Sequence, residues 1–133
     1  MGNELMMLNV ACAIVMNGEN VLICQRSERM SLPLKWEFPG GKVEPDEDDA
    51  IAIVREIKEE LHLDIEVLKR LVPVEHRYPA FRIRLIPFLA YVTGGKLRLE
   101  EHRDAKWVPV TELGGYDWAP ADVPVVEWLT AQG

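Results

Sequence analysis

A chain of 133 residues carrying a formal net charge of −7, from 15 Lys and Arg against 22 Asp and Glu, has the length of one domain with a real core, taken as residues 1–133. That acidity argues against a broad electrostatic grip on a nucleic-acid polymer or an anionic membrane, both of which favour a basic surface. Cys12 and Cys24 lie in apolar runs without CxxC or histidine spacing, so buried free thiols are expected, and with no basic leader or membrane-length apolar run the reading is of a cytoplasmic protein.

Leu8 to Met16 reads as a buried strand, Asn17-Gly18-Glu19-Asn20 as a turn, and Val21 to Arg26 as the second arm of a hairpin. Ser27 to Lys35 is polar and proline-interrupted, which predicts a loop. Trp36-Glu37-Phe38 then alternates briefly into Pro39-Gly40-Gly41, where glycines let backbone approach a ligand. Pro45 and the acidic run Asp46 to Asp49 announce a helix that ends near Leu61, with Glu47 still in the preceding loop. Strands follow at Ile65 to His76 and Arg82 to Val92. Thr93-Gly94-Gly95-Lys96 reads as a tight turn into a short strand, and Lys106 to Val110 as another strand. The segment Asp122 to Ala131, with Pro124 near its start, has helical spacing of Val125, Val126, Trp128 and Leu129. Alternating strands with two helices describe a mixed α/β sandwich. Trp36, Trp107, Trp118 and Trp128 read as structural, and His76 and His102 as surface or loop residues.

The chemistry concentrates on the first helix. A turn of about 100° per residue places Glu56, Glu59 and Glu60 within roughly 100° of one another. Ala50, Ile53, Val54, Ile57 and Leu61 cluster on a different side, so one face is expected to fold and the other to stay acidic. Side-by-side glutamates repel, and a bound cation removes that repulsion. Carboxylate oxygens suit Mg²⁺, with Mn²⁺ as the alternative, and Mg²⁺ commonly bridges carboxylates to substrate phosphates.

The spacing of Gly41, Glu47, Arg55, Glu56, Ile57, Glu59, Glu60 and Leu63 resembles the G-x5-E-x7-R-E-U-x-E-E-x-G-U signature of the Nudix hydrolases, U being apolar. It departs only at His62, where the signature has a glycine that ends the helix. A left-handed conformation is commonly needed there, and His tolerates it better than most, so the cost is expected in stability. Trp36-Glu37-Phe38-Pro39-Gly40-Gly41-Lys42-Val43-Glu44 and Ala119-Pro120-Ala121-Asp122-Val123-Pro124 are similar to the MutT-type branch.

The resemblance implies the Nudix fold, a mixed β-sheet flanked by helices, and a hydrolase that converts a nucleoside triphosphate to the monophosphate and pyrophosphate in nucleotide-pool sanitation. It implies that Glu56, Glu59, Glu60, the Gly40 carbonyl and a glutamate on a later loop hold the metals. Glu101 is the choice for the last, with Glu100 as the substitute. Arg55 would orient the glutamates, and Glu47 would complete that arrangement or merely precede the helix. Glu56 or Glu59 would serve as the general base. Arg26 matches an arginine that meets substrate phosphate. Phe38, Tyr78 and Phe81 are candidates to stack on a base, and Asp122 stands where the branch reads the base edge, or else caps the last helix. An ionised carboxylate only accepts, which favours an amino-bearing edge such as cytosine N4 or guanine N1/N2; a protonated one would change that. A small-molecule nucleotide is the expected partner of a monomer or homodimer. The rival readings are a Nudix hydrolase of another nucleoside diphosphate-linked substrate, such as ADP-ribose, and a catalytically silent metal- or nucleotide-binding module.

Overall fold

Strand β1 (Met7–Asn17) organises the molecule, because its alternating side chains feed two separate cores. Cys12 and Ile14 point to one face and Ala11, Ala13 and Val15 to the other. A computed structural model describes residues 6–132; the outermost positions of the expected domain, 1–5 and 133, lie outside the described residues.

The expected hairpin is present. β1 turns through Gly18 and Glu19 into β2 (Asn20–Gln25), with Asn17 opposite Asn20. β2 pairs in turn with β3 (Trp36–Glu37), and three-residue β4 (Gly40–Lys42) pairs with β1 opposite Val10 to Cys12.

Helix α1 (Asp49–Leu61) is capped by Asp48, whose carboxylate accepts from the N–H groups of Ala50 and Ile51. It ends at His62, which adopts φ 60° and ψ 28°, the left-handed conformation anticipated for the signature's missing glycine. The apolar stripe differs from the expectation in one respect. Ala52, Ile53, Ile57 and Leu61 are buried, whereas Val54 is 38% exposed. Projected at 100° per residue, Ala52 and Leu61 bracket an arc that contains Glu56 and Glu60. Those two carboxylates therefore lie on the core-facing side of α1, and only Glu59 projects outward.

The long strand expected over Ile65 to His76 is two strands, β5 (Leu63–Arg70) and β6 (Val74–Arg77). Pro73 has no N–H to give to the ladder, and the chain breaks over residues 71–73 before pairing resumes. Both line the same edge of β7 (Arg82–Gly95), which on its other edge runs parallel to β1 from Met7 opposite Arg82 to Val15 opposite Ala90. β7 is longer than expected: Gly94 and Gly95 pair with Asp64 and Leu63, so the predicted tight turn is strand.

Residues 96–100 form no strand either. Instead the N–H groups of Lys96, Arg98 and Glu100 donate to the carbonyls of His62, Leu61 and Glu60, satisfying the end of α1. β8 (Asp104–Pro109) pairs with β2, and a 3₁₀ turn covers Val110–Gly115. A second 3₁₀ turn, Pro120–Asp122, leads into α2 (Val123–Gln132). Asp122 thus precedes the helix in which it was expected to lie.

Val125, Val126 and Leu129 of α2 close one core, and Ile53, Ile57 and Leu61 of α1 close the other. The mixed sheet is flanked by a helix on each face, as expected. Cys12 and Cys24 are free and buried. Trp36 and Trp118 are buried, while Trp107 and Trp128 are partly exposed and belong to neither core.

Candidate active site

The two glycines of β4 bring backbone against both β1 and α1. A Cβ on Gly40 would run into the Ala11 carbonyl and lie 2.7 Å from Cys12 Cα; one on Gly41 would collide with the Glu56 carboxylate. At Gly40, where the obstacle is backbone, only glycine permits this approach; at Gly41 a side chain would have to push the Glu56 carboxylate aside.

Arg55 organises the helix carboxylates. Its Nε and Nη2 donate to the two oxygens of Glu47 at 2.8 and 2.9 Å, a bidentate pair. Nη1 donates to Glu56 at 3.0 Å and Glu59 at 3.2 Å. The hydrogen bonds from Arg55, helped by the Glu44 backbone N–H, hold the Glu47 carboxyl down to about 2. Burial pushes the Glu56 carboxyl up despite Arg55 beside it.

Glu60 has no such partner. Its Oε2 is shut away from solvent and makes no hydrogen bond among the described residues. Burial pushes its carboxyl up, and the charges of Glu101, Glu56 and Glu59 add to that effect, opposed by His102. The docking of residues 96–100 on the end of α1 is what brings Glu101 to this place. Glu100 instead meets His62 at 3.3 Å and Arg98 at 3.6 Å.

Beside these groups lies a cavity of about 230 Å³. Gly40, Gly41, Glu60 and Glu101 line it together with Arg26, Phe38, Tyr78, Phe81 and Asp122, and Glu37 and His102 also reach its wall. Glu47, Arg55, Glu56 and Glu59 stand outside that lining, behind and beside the glycine pair.

Asp122 is 5% exposed, and its Oδ1 accepts from the Phe38 N–H at 3.0 Å. Its side chain caps β3's exit into the site, and no side-chain bond from Asp122 to α2 is formed among the described residues. Burial, and next the charge of Glu37, push its carboxyl well up. The buried Phe38 ring stacks on Trp118 with centroids 5.0 Å apart, which commits one face to the core. Tyr78 and Phe81 pack together at 5.1 Å, and the Tyr78 hydroxyl accepts from the Ala121 N–H at 3.2 Å. Arg26 is held by Ser31 and by Glu37, the latter at 2.8 Å.

Two residues of this region were not singled out by sequence. Glu37 accepts from Arg26 through one oxygen and meets His102 Nε2 at 2.8 Å through the other. His102 lies in a loop, one of the two places expected for it, but it is buried there; its burial was not foreseen because its partner lies 65 residues away and no local pattern connects them. His76 is half-buried against Tyr78.

Among the described residues no three His, Cys, Asp or Glu side chains are already gathered as a metal cage. Arg55 instead takes up Glu56 and Glu59. The donor set nonetheless fits a divalent cation: an orphaned, buried carboxylate oxygen faces further carboxylates whose mutual repulsion a cation would relieve.

An arginine-anchored glutamate helix set against a glycine pair, on a mixed sheet between two helices, is the arrangement expected of the Nudix hydrolases, which act on phosphoric anhydrides with a divalent metal. The NUDIX domain model matches residues 6–129, and the chain belongs to that family. It is 34% identical over 125 residues to the CTP pyrophosphohydrolase of Escherichia coli K12, covering 94% of this chain and 93% of that protein. It is 30% identical over 123 residues to the 8-oxo-dGTP diphosphatase of the same strain, covering 92% and 95%. The solution structure of a MutT protein from methicillin-resistant Staphylococcus aureus 252 superposes with a TM-score of 0.77 at 40% identity, covering 96% and 98%. The chain is thus a MutT-type Nudix hydrolase that uses a divalent metal and takes a small-molecule nucleotide.

Proposed function

We propose that this protein, as a single domain, hydrolyses a cytidine-type or oxidised-guanine nucleoside triphosphate to the monophosphate and pyrophosphate, with Mg²⁺ as the preferred metal and Mn²⁺ as the alternative. The observation that carries the metal assignment is the orphaned, buried Glu60 Oε2 at a cavity it shares with Glu101. Glu56, Glu59, Glu60, Glu101 and the Gly40 carbonyl are the proposed ligands. A cation bound there supplies charge neutralisation on the phosphate oxygens and acidifies water.

The chain's own residues do the rest. Gly40 and Gly41 leave room for the phosphates to approach backbone. Arg26, at the cavity wall, meets phosphate charge. Arg55 fixes the rotamers of Glu56 and Glu59, with Glu47 holding Arg55 in turn. Glu56 is the proposed base: it is 12% exposed and held in place by Arg55. It takes a proton from the attacking water as the anhydride bond between the α- and β-phosphates breaks and pyrophosphate leaves.

Tyr78 and Phe81 supply ring faces for the base, and Asp122 reads its edge. Asp122 Oδ1 is already engaged by Phe38, which leaves Oδ2 for the substrate. Ionised, that oxygen accepts from an amino group such as cytosine N4; neutral, the carboxyl also donates, as an oxidised purine edge or cytosine N3 requires. The unpaired thiols of Cys12 and Cys24 support a reducing, cytoplasmic setting.

The test is incubation of wild type and Glu60→Gln with Mg²⁺ and dCTP, 5-methyl-dCTP, CTP, dGTP, 8-oxo-dGTP, ADP-ribose and coenzyme A, following monophosphate and pyrophosphate. Pyrophosphate from a cytidine or oxidised-guanine triphosphate with wild type alone is the expected result. Cleavage restricted to ADP-ribose or coenzyme A overturns the triphosphate reading, and silence across the panel overturns catalysis.

A further inference from the structure

In the wall of the cavity, Arg26, Glu37 and His102 form one chain of contacts. Glu37 Oε1 accepts from Arg26 Nη1 at 2.8 Å, and Oε2 meets His102 Nε2 at 2.8 Å. An ionised carboxylate beside an arginine only accepts, which assigns the imidazole N–H of this contact to Nε2. Both Glu37 oxygens are thereby committed, one to the end of β2 and one to the loop before β8.

The His102 side chain is 3% exposed, and Nδ1 is buried with no hydrogen-bond partner among the described residues. An unpaired buried polar atom is costly, and an apolar residue would fill the same space without that cost. Packing alone therefore does not account for an imidazole here. Its place in the loop supplies a reason. The backbone is tied to α1 as far as the Glu100 N–H on the Glu60 carbonyl, and it is tied again by the Arg103 N–H on the Gln25 carbonyl at 2.9 Å. Glu101 and His102 span the gap between those anchors, and the bond to Glu37 is the side-chain tether within it.

We propose that His102, tethered by Glu37, is a positioning residue that holds Glu101 at the cavity it shares with Glu60, and that Glu37 links this loop to Arg26 in the same wall. The inference rests on the assignment of Glu101 as a metal ligand and Arg26 as a phosphate contact. Neither His102 nor Glu37 needs to touch metal or substrate to act in this way. Orienting partners behind a ligand commonly contribute tenfold or more to metal affinity.

Mn²⁺ binding without nucleotide, followed by electron paramagnetic resonance of the free ion, tests the tether apart from turnover. His102→Leu, checked for folding by thermal melting, is expected to weaken Mn²⁺ binding about tenfold. His102→Gln, whose amide can donate from near the Nε2 position, is expected to restore most of it. Added to Glu101→Gln, the His102→Leu change should have almost no further effect, because the group it positions is gone. Glu37→Gln is expected to weaken Mn²⁺ binding and also to raise the nucleotide KM, since it loosens Arg26.

A folded His102→Leu protein with wild-type Mn²⁺ affinity overturns the proposal, as does a full additive loss on top of Glu101→Gln. If His102→Leu does not fold, His102→Gln against His102→Asn decides, with equal affinities overturning it. A wild type that cleaves no triphosphate while these binding differences hold would sink the proposed substrate and leave the tether standing. Triphosphate cleavage with unchanged Mn²⁺ binding in the variants would sink only the tether.

Discussion

The Glu56 carboxylate occupies the space that a side chain on Gly41 would need: a Cβ there would come within 2.8 Å of Oε1 and closer still to the rest of the group. Gly41 has no left-handed backbone angle to protect, so the substitution Gly41→Ala acts through that carboxylate. Displacing Glu56 by about an ångström should lower kcat about 100-fold, with the fold retained. Steady-state kinetics beside a thermal melt check this; a fully active Gly41→Ala enzyme would remove Glu56 from the chemistry.

Glu60 is destabilising as long as it is charged and unpartnered. Glu60→Gln should therefore raise Tm in metal-free buffer and abolish turnover, and Mg²⁺ should raise the Tm of wild type far more than that of the variant. Calorimetry with and without Mg²⁺ reads both Tm effects, and a pyrophosphate-release assay reads turnover. Equal Mg²⁺ shifts in both proteins would take Glu60 out of the metal site.

Glu47 titrates at about 2 in the fold, below its ordinary 4.5, because Arg55 grips its ionised form. The folded value is lowered, so this contribution is complete above about pH 4.5 and disappears as the pH falls toward 2. The difference in urea midpoint between wild type and Glu47→Gln should shrink across that window. A gap independent of pH would mean that Glu47 contributes through packing.

Asp122→Ala leaves the Phe38 N–H buried and unpaired, which costs about 1–3 kcal/mol and a Tm loss of several degrees. Asp122→Asn keeps an acceptor for Phe38, so it should melt closer to wild type. It should nonetheless change the ratio of kcat/KM between dCTP and 8-oxo-dGTP, because the amide presents a fixed donor and acceptor. An unchanged ratio would remove Asp122 from base reading.

His62 sits at φ 60° where a glycine would carry no steric penalty. His62→Gly should stabilise the protein by about 1 kcal/mol or less and leave kcat unchanged, as thermal melting and kinetics would show.

Sequence alone determined what depends on neighbours along the chain. The apolar run of β1, the Asn17–Asn20 turn, the acidic start of α1 and its extent follow from side-chain periodicity and local backbone chemistry, and the left-handed exit at His62 from the likeness to the Nudix signature, which has a glycine there. The clustering of Glu56, Glu59 and Glu60 is equally local, because helical spacing imposes it. Tertiary structure decided which way that cluster faces and what it meets. Two of its carboxylates lie within the buried arc of α1, since Ala52 is buried along with Ile53 and Leu61. Glu101 comes to line the same cavity as Glu60 because the end of α1 has carbonyls to satisfy and the loop after β7 supplies the N–H groups. His102 finds Glu37 across 65 residues, and Asp122 finds the Phe38 N–H across 84. Contacts of that separation leave no periodic trace in a single sequence. They are set by which strands lie side by side, and by the cost of leaving a buried polar group unpaired.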